Sequence, residues 1–179
     1  MSKSDTGRKA RQNGAAFERQ IARDLREWLG PEWAVARLKT SYQAEAGGEF
    51  EIAWHAPPHD DRTPAVPVFP VALELKRDAS FRTDQLWKPR VSAAFRGFWS
   101  QAVEQAEAVG KRPWLVLREP PRGPVLLVMH SAHFVRLMTA SGYPAFCRLT
   151  LDVGVHTLVV LPWSAFLEAV PASALWELS

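Results

Sequence analysis

The run Val71-Ala72-Leu73-Glu74-Leu75-Lys76 restricts the fold more than any other part of the chain. Six residues, four of them apolar, read as a buried β-strand that closes on a carboxylate and an ammonium. Side chains alternate along a strand, so Val71, Leu73 and Leu75 face one way and Ala72, Glu74 and Lys76 the other. Glu74 and Lys76 then stand side by side, with Cα atoms about 7 Å apart from strand rise alone. An acid and a base beside such an apolar run are costly unless they pair or hold a metal. A pair of this kind at a strand end is either an ion pair at the surface or the centre of a site.

A chain of 179 residues with 47% hydrophobic residues has enough apolar material to bury one core, which points to a single domain. No apolar run approaches the length of a membrane span. The start, Met-Ser-Lys-Ser-Asp-Thr-Gly, has no apolar region and does not read as a signal peptide. Cys147 is the only cysteine, which excludes an internal disulfide and a cysteine-built zinc site. Together these features predict a cytoplasmic protein with no membrane partner.

The net charge of +3 conceals three blocks. Lys3, Arg8, Lys9 and Arg11 dominate residues 1–13, which read as a flexible basic arm preceding a domain over residues 14–179. Residues 41–75 carry Glu45, Glu49, Glu51, Asp60, Asp61 and Glu74 against Arg62 alone. Residues 76–96 turn basic again, with Lys76, Arg77, Arg82, Lys88, Arg90 and Arg96 against Asp78 and Asp84. An acidic centre between basic segments suits a protein that grips a polyanion and handles cations at its middle.

Periodicity places the rest. Phe17, Ile21, Leu25 and Trp28/Leu29 form one stripe of a helix over 14–29, stopped by Gly30-Pro31. Strands are predicted over 33–38 and 49–55, the second with Phe50, Ile52 and Trp54 opposite Glu49, Glu51 and Ala53. Residues 41–48 and 56–64 read as loops, and 78–89 as polar and irregular. A second helix covers 93–109, with Gly110 in the C-cap region. Strands at 113–117 and 125–130, a short helix at 132–139, strands at 148–151 and 156–161, and a helix at 163–170 complete a mixed α/β domain. The nearly uncharged stretch with Trp163, Phe166, Leu167, Val170, Leu175 and Trp176 is apolar material for either the core or a subunit contact.

If the strands bearing Glu51 and Glu74 pair as neighbours, Glu51, Glu74 and Lys76 share a face and converge. Hard divalent cations take one or two carboxylates and complete their shell with water. Glu18, on the edge of the first helix's apolar stripe, is either a further ligand or a partner for Arg19 or Arg23. His130 and His133 have a metal-like spacing without a clearly placed third ligand. Neither a nucleophile elbow nor a phosphate-binding glycine loop is present.

A helix-borne Glu18, the run Gly47-Gly48-Glu49-Phe50-Glu51-Ile52, Glu74-Leu75-Lys76 at a strand end and a helix carrying Gln101 and Gln105 resemble the PD-(D/E)XK nuclease superfamily. Within it the layout looks closest to the archaeal- and phage-type Holliday junction resolvases. The resemblance spans residues 14–118 and implies a restriction-endonuclease-like αβββαβ core, with a central mixed β-sheet flanked by helices. It further implies a Mg²⁺- or Mn²⁺-dependent DNA endonuclease acting on branched or duplex DNA as a homodimer. Glu51 takes the place of the first acidic ligand, Glu74 the second, Lys76 the catalytic lysine and Glu18 the helix-borne glutamate of the resolvases. The family usually has Asp where this chain has Glu51, and Glu49 on the same face is a rival ligand. Gln101 is placed to approach the scissile phosphate. Lys3, Arg8, Lys9, Arg11, Lys39, Ser41, Arg82, Lys88 and Arg90 are the candidate DNA contacts. A restriction or repair nuclease, or a silent DNA-binding module of the same fold, shares these motifs.

Overall fold

A computed structural model describes residues 3–37, 50–54, 68–88, 90–142 and 148–178. Helix α1 (Lys3–Leu29) is followed by strands β1 (Trp33–Arg37), β2 (Phe50–Trp54) and β3 (Val71–Lys76). A short 3₁₀ helix (Thr83–Trp87), helix α2 (Ala93–Ala108) and strand β4 (Arg112–Arg118) come next. Strand β5 (Val125–His130), α3 (Ser131–Ser141), β6 (Leu149–Val153), β7 (His156–Pro162), α4 (Trp163–Ala169) and a closing 3₁₀ helix (Ala172–Leu178) complete the chain. The order up to β4 is the αβββαβ succession expected from the sequence.

Among the described residues the strands form two sheets. A five-stranded mixed sheet has the order β3-β4-β5-β7-β6, and β1 and β2 make an antiparallel pair of their own. β3 and β4 run parallel, with Val71 opposite Arg112 and Lys76 opposite Leu117. The crossover between them is α2. Ser92 caps its start, accepting a hydrogen bond from the Phe95 N–H at 3.2 Å. At its end Gly110 adopts φ 66°, and Lys111 N–H returns to Ala106 O at 2.9 Å while Gly110 N–H bonds Glu107 O. This left-handed closure satisfies the last carbonyls and turns the chain straight into β4.

The interior strand β4 is buried on both faces: Trp114, Leu115, Val116 and Leu117 are all fully inaccessible. Alternation divides these side chains between two cores. On one face Val71, Leu73, Leu75, Trp114 and Val116 meet Phe17, Ile21 and Leu25 of α1, together with Trp33, Phe50 and Ile52 of the small sheet. On the other, Leu115, Leu117, Val128 and Val160 meet Phe95, Trp99 and Ala102 of α2 and Phe81 and Leu86 before it. Glu74 and Lys76 belong to this α2 side by their pairing with Leu115 and Leu117.

Three features depart from the sequence reading, and a fourth decides between alternatives it left open. α1 begins at Lys3, so the basic residues assigned to a flexible arm continue the helix backbone. Residues Thr83–Trp87, read as irregular, form a 3₁₀ helix that buries Leu86. The strand carrying Glu51 pairs with β1 and not with β3, whose described partner is β4. The apolar C-terminal stretch is spent on the core: Trp163, Phe166, Val170 and Leu175 are buried, and Leu167 and Trp176 pack against them. Trp176 stacks on Trp33 at 5.3 Å between ring centroids, which secures the small sheet to the last turn.

Candidate active site

β3 places Glu74 where a charge is least comfortable. Its side chain is 2% exposed, and it is the only buried charged residue among those described. The neighbouring strand offers Leu115 at the paired position, so compensation has to come from β3 itself. Lys76, two residues on and on the same face, supplies it through an ion pair between Nζ and Glu74 Oε1. The Lys76 side chain is 20% exposed, and its ammonium lies 5.9 Å from the centroid of the Phe98 ring on α2. The pair therefore sits at the mouth of a nearly dry recess, with a carboxylate inside, a cation at the opening and an aromatic face beneath it. Among the described residues the Lys76 ammonium is the one partner of Glu74 Oε1, so a single cation compensates this buried carboxylate.

α2 contributes the adjoining wall. Gln101 and Gln105 follow Phe98 by three and seven residues, which puts them on the helix flank that carries that ring. Gln101 is exposed, whereas the Oε1 of Gln105 is buried without a hydrogen-bond partner. The sequence singled out Gln101; Gln105 differs in holding an unsatisfied buried acceptor.

Glu18 and Glu51 approach from the other elements. Arg26 donates from Nη2 to the carbonyl of Val35 at 2.6 Å, tying α1 alongside β1. The Gly30-Pro31-Glu32 turn makes helix and strand antiparallel, so Glu18, about 12 Å back along α1 by helix rise, lies toward the end where β1 stops and β2 starts. Glu18 is half-buried there, with one carboxylate oxygen enclosed. Glu51 points away from the Phe50/Ile52 core and is exposed. Its charge opposes the lowering of the Lys111 pKa that burial causes, which sets it within electrostatic reach of the residue before β4. Lys111 stands at the end of the sheet where β3 begins, whereas Glu74 and Lys76 close the other end. The convergence expected from pairing of β2 with β3 is not made, and no three potential ligands among the described residues are grouped to hold a metal. Glu49, Lys39 and Ser41 lie outside the described residues, as do the side chains of Lys3, Arg8, Lys9 and Arg11.

The loop after β3 is fixed by short contacts. Asp78 accepts from the N–H and hydroxyl of Ser80 at 2.7 and 2.6 Å, and these bonds hold its carboxyl below the ordinary range. Glu119, just past β4, accepts from the Thr83 N–H at 2.8 Å, and that bond lowers its pKa. Arg77 donates to the Pro121 carbonyl at 3.2 Å. Arg82, Lys88 and Arg90 are exposed at this end of the sheet, Arg82 pairing with Asp84 at 3.2 Å.

The histidines acquire a third member that their spacing could not show. The His130 ring lies 5.3 Å from that of His133 and 4.9 Å from that of His156 on β7, all edge-on, with Trp99 5.1 Å from His130. Burial, with His130, Arg112 and Arg136 nearby, drives the His133 pKa down to about 4. The cluster is on the α2 face at the end of β5, away from Glu74.

No curated protein and no solved structure matches the chain. A family model described as "Phage putative PDDEXK endonuclease" matches residues 9–172, a range that includes Glu18, Glu51, Glu74, Lys76 and Gln101. With a helix-flanked mixed sheet and a buried Glu-x-Lys pair at the end of its edge strand, the chain belongs to this family of PD-(D/E)XK endonucleases.

Proposed function

We propose that the protein is a Mg²⁺- or Mn²⁺-dependent DNA endonuclease selective for branched DNA, of the Holliday junction resolvase kind, and that it acts as a homodimer. The observation that carries this reading is the Glu74–Lys76 pair, since a buried carboxylate whose partner is half-withdrawn toward solvent is costly for stability alone. The donors suit a hard cation: carboxylate oxygens, that of Glu74 buried and paired with a single ammonium. Glu74 is the ligand in this reading; Glu51 and Glu18, expected from the sequence as further ligands with Glu49 as the rival of Glu51, are not grouped with it among the described residues. Glu74 would hold a divalent ion there, and the chemistry such an ion would supply is activation of water and neutralisation of phosphate charge.

The protein's own groups do the remainder. Lys76 donates to the attacking water or to the phosphate oxygen on which charge accumulates, and Phe98 keeps the ammonium at the mouth of the recess. As the new P–O bond forms, the opposite P–O bond to the leaving deoxyribose breaks. Gln101 donates to the phosphate beside it. Arg82, Lys88 and Arg90 hold flanking phosphates, and Lys3, Arg8, Lys9, Arg11, Lys39 and Ser41 extend that grip along the arms. Resolving a four-way junction takes two symmetry-related cuts, and one chain has one Glu74–Lys76 pair, so a two-fold dimer fits the task.

The test is cleavage of a synthetic four-way junction against a linear duplex of the same sequence, with Mg²⁺ and with chelator. Metal-dependent cutting of the junction in preference to the duplex supports the full reading. Equal cutting leaves a restriction or repair nuclease, and binding without cutting leaves a silent module.

A further inference from the structure

Among the described residues Trp87 is the only aromatic side chain that is largely exposed, at 71%, whereas Trp33, Trp99, Trp114 and Trp163 are all buried. Leaving an indole in water forgoes much of the gain that burying one brings. The segment beneath it is firmly held. Phe81 and Leu86 are buried at 1% and 4%, and Thr83 N–H donates to Glu119 at 2.8 Å. The 3₁₀ helix thus turns Leu86 into the core and presents Trp87 outward on a rigid base.

What surrounds the indole is apolar on one side and cationic on the other. A cavity of about 120 Å³ opens against it, lined by Thr83, Leu86, Leu149 and Pro162 among others, and Arg148 is the one charged residue on its wall. Arg82, Lys88 and Arg90 flank the helix, all exposed. The cavity also touches Leu126, which pairs with Leu117, which in turn pairs with Lys76. Two strand spacings, about 10 Å, therefore separate it from the catalytic pair at the same end of the sheet. That is about three stacked nucleotides of one DNA strand.

A flat aromatic face, an apolar recess and cations within reach of a phosphate chain are the elements that hold an unstacked nucleobase. We infer that Trp87 and the adjoining cavity receive an unpaired base close to the scissile phosphate, so that the protein prefers DNA with bases out of the helical stack. The inference rests on the endonuclease reading of the Glu74–Lys76 site and names the substrate feature that site would be offered. An apolar side chain of a protein partner would suit the recess but would make no use of Lys88 and Arg90, exposed beside it, even with Arg82 paired to Asp84.

The experiment measures binding and not cutting, with the Glu74→Gln protein in Ca²⁺, on a duplex containing a three-nucleotide single-stranded gap and on the same duplex fully paired. Trp87→Ala should weaken binding of the gapped DNA about tenfold, the size of one base–indole stack, while the paired duplex changes less than twofold. Trp87→Phe should keep most of the preference. Abasic nucleotides in the gap should cost the Trp87 protein the same factor and the Trp87→Ala protein nothing. Equal losses on both DNAs, or no loss on either, would overturn the inference, as would insensitivity to the missing bases. Cleavage by the protein with Glu74 intact is read separately: a stacking preference without cleavage refutes the nuclease reading alone, and cleavage without the preference refutes the stacking site alone.

Discussion

Removing one member of the Glu74–Lys76 pair is the sharpest perturbation available. Lys76→Met keeps an unbranched side chain against Phe98 but leaves a 2% exposed carboxylate without its cation. Breaking a fully buried pair this way costs about 3–5 kcal/mol. Because the Lys76 side chain is 20% exposed, water reaches the mouth of the recess and we expect about 2–4 kcal/mol instead. Glu74→Gln has less to lose, since the freed ammonium can turn to solvent, and should cost about 1 kcal/mol. The double variant Glu74→Met/Lys76→Met removes both charges and should be more stable than Lys76→Met alone, because an apolar pair needs no compensation. Urea unfolding at neutral pH reads all four proteins, with an unchanged m-value confirming that the same surface unfolds. All three variants should be inactive, so that stability and activity separate: the double variant regains the first and not the second. If Lys76→Met unfolds within about 0.5 kcal/mol of the parent, or if the double variant is no better than Lys76→Met, the pair is not the buried device argued for here.

Four further outcomes follow from the same geometry. Glu74→Ala should abolish single-turnover cleavage while leaving DNA affinity equal or higher, because a negative charge beside phosphate is removed; gel-shift and cleavage on one junction check both. Mg²⁺ and Mn²⁺ should support cutting and Ca²⁺ binding alone, and full activity in excess chelator would end the metal reading. His133 has an ordinary pKa near 6.5 unfolded and about 4 folded, so its contribution is full above about pH 6.5 and is lost as the pH falls toward 4. That loss is at most about 3 kcal/mol, nearer 1–2 after screening of a partly exposed ring, and His133→Gln should flatten the acid limb of a thermal-shift profile. Light scattering should give a dimer at micromolar concentration, and junction affinity should fall steeply with salt while the preference over duplex persists.

How far the sequence revealed the fold depends on whether a feature is local. The 71–76 alternation placed Glu74 and Lys76 on one face, and the structure pairs them there. The stripe of Phe17, Ile21 and Leu25 and the glycine closure at Gly110 are set by neighbours within a turn, and both appear where the pattern puts them. Alternation in 50–54 likewise gave the exposed face of Glu51 correctly. It carries no information about which strand lies alongside, so the pairing of β2 with β3 was an assumption, and the described ladder joins β2 to β1 instead. The residues 163–176 show the same limit in another form. Apolar composition requires burial but does not say against what, and Trp28, Trp33 and Trp114 of distant segments turn out to be among the partners.

The candidate site has a part written in one strand and a part that only packing creates. Glu74 and Lys76 are two residues apart, so strand geometry alone brings them together. Phe98 beneath the ammonium, Glu119 holding Thr83 and His156 beside His130 come from elements separated by tens of residues, and no spacing rule joins them. Trp87 shows why the difference matters for function. In the sequence it is one of eight tryptophans between Leu86 and Lys88, and the ordinary expectation for such a residue is burial. The 3₁₀ helix reverses that expectation by spending Leu86 on the core and leaving the indole in a basic surround, at the end of the sheet where the Glu-x-Lys pair emerges. Local pattern thus specifies the proposed catalytic groups, whereas the surface proposed to choose among substrates is assembled by the fold.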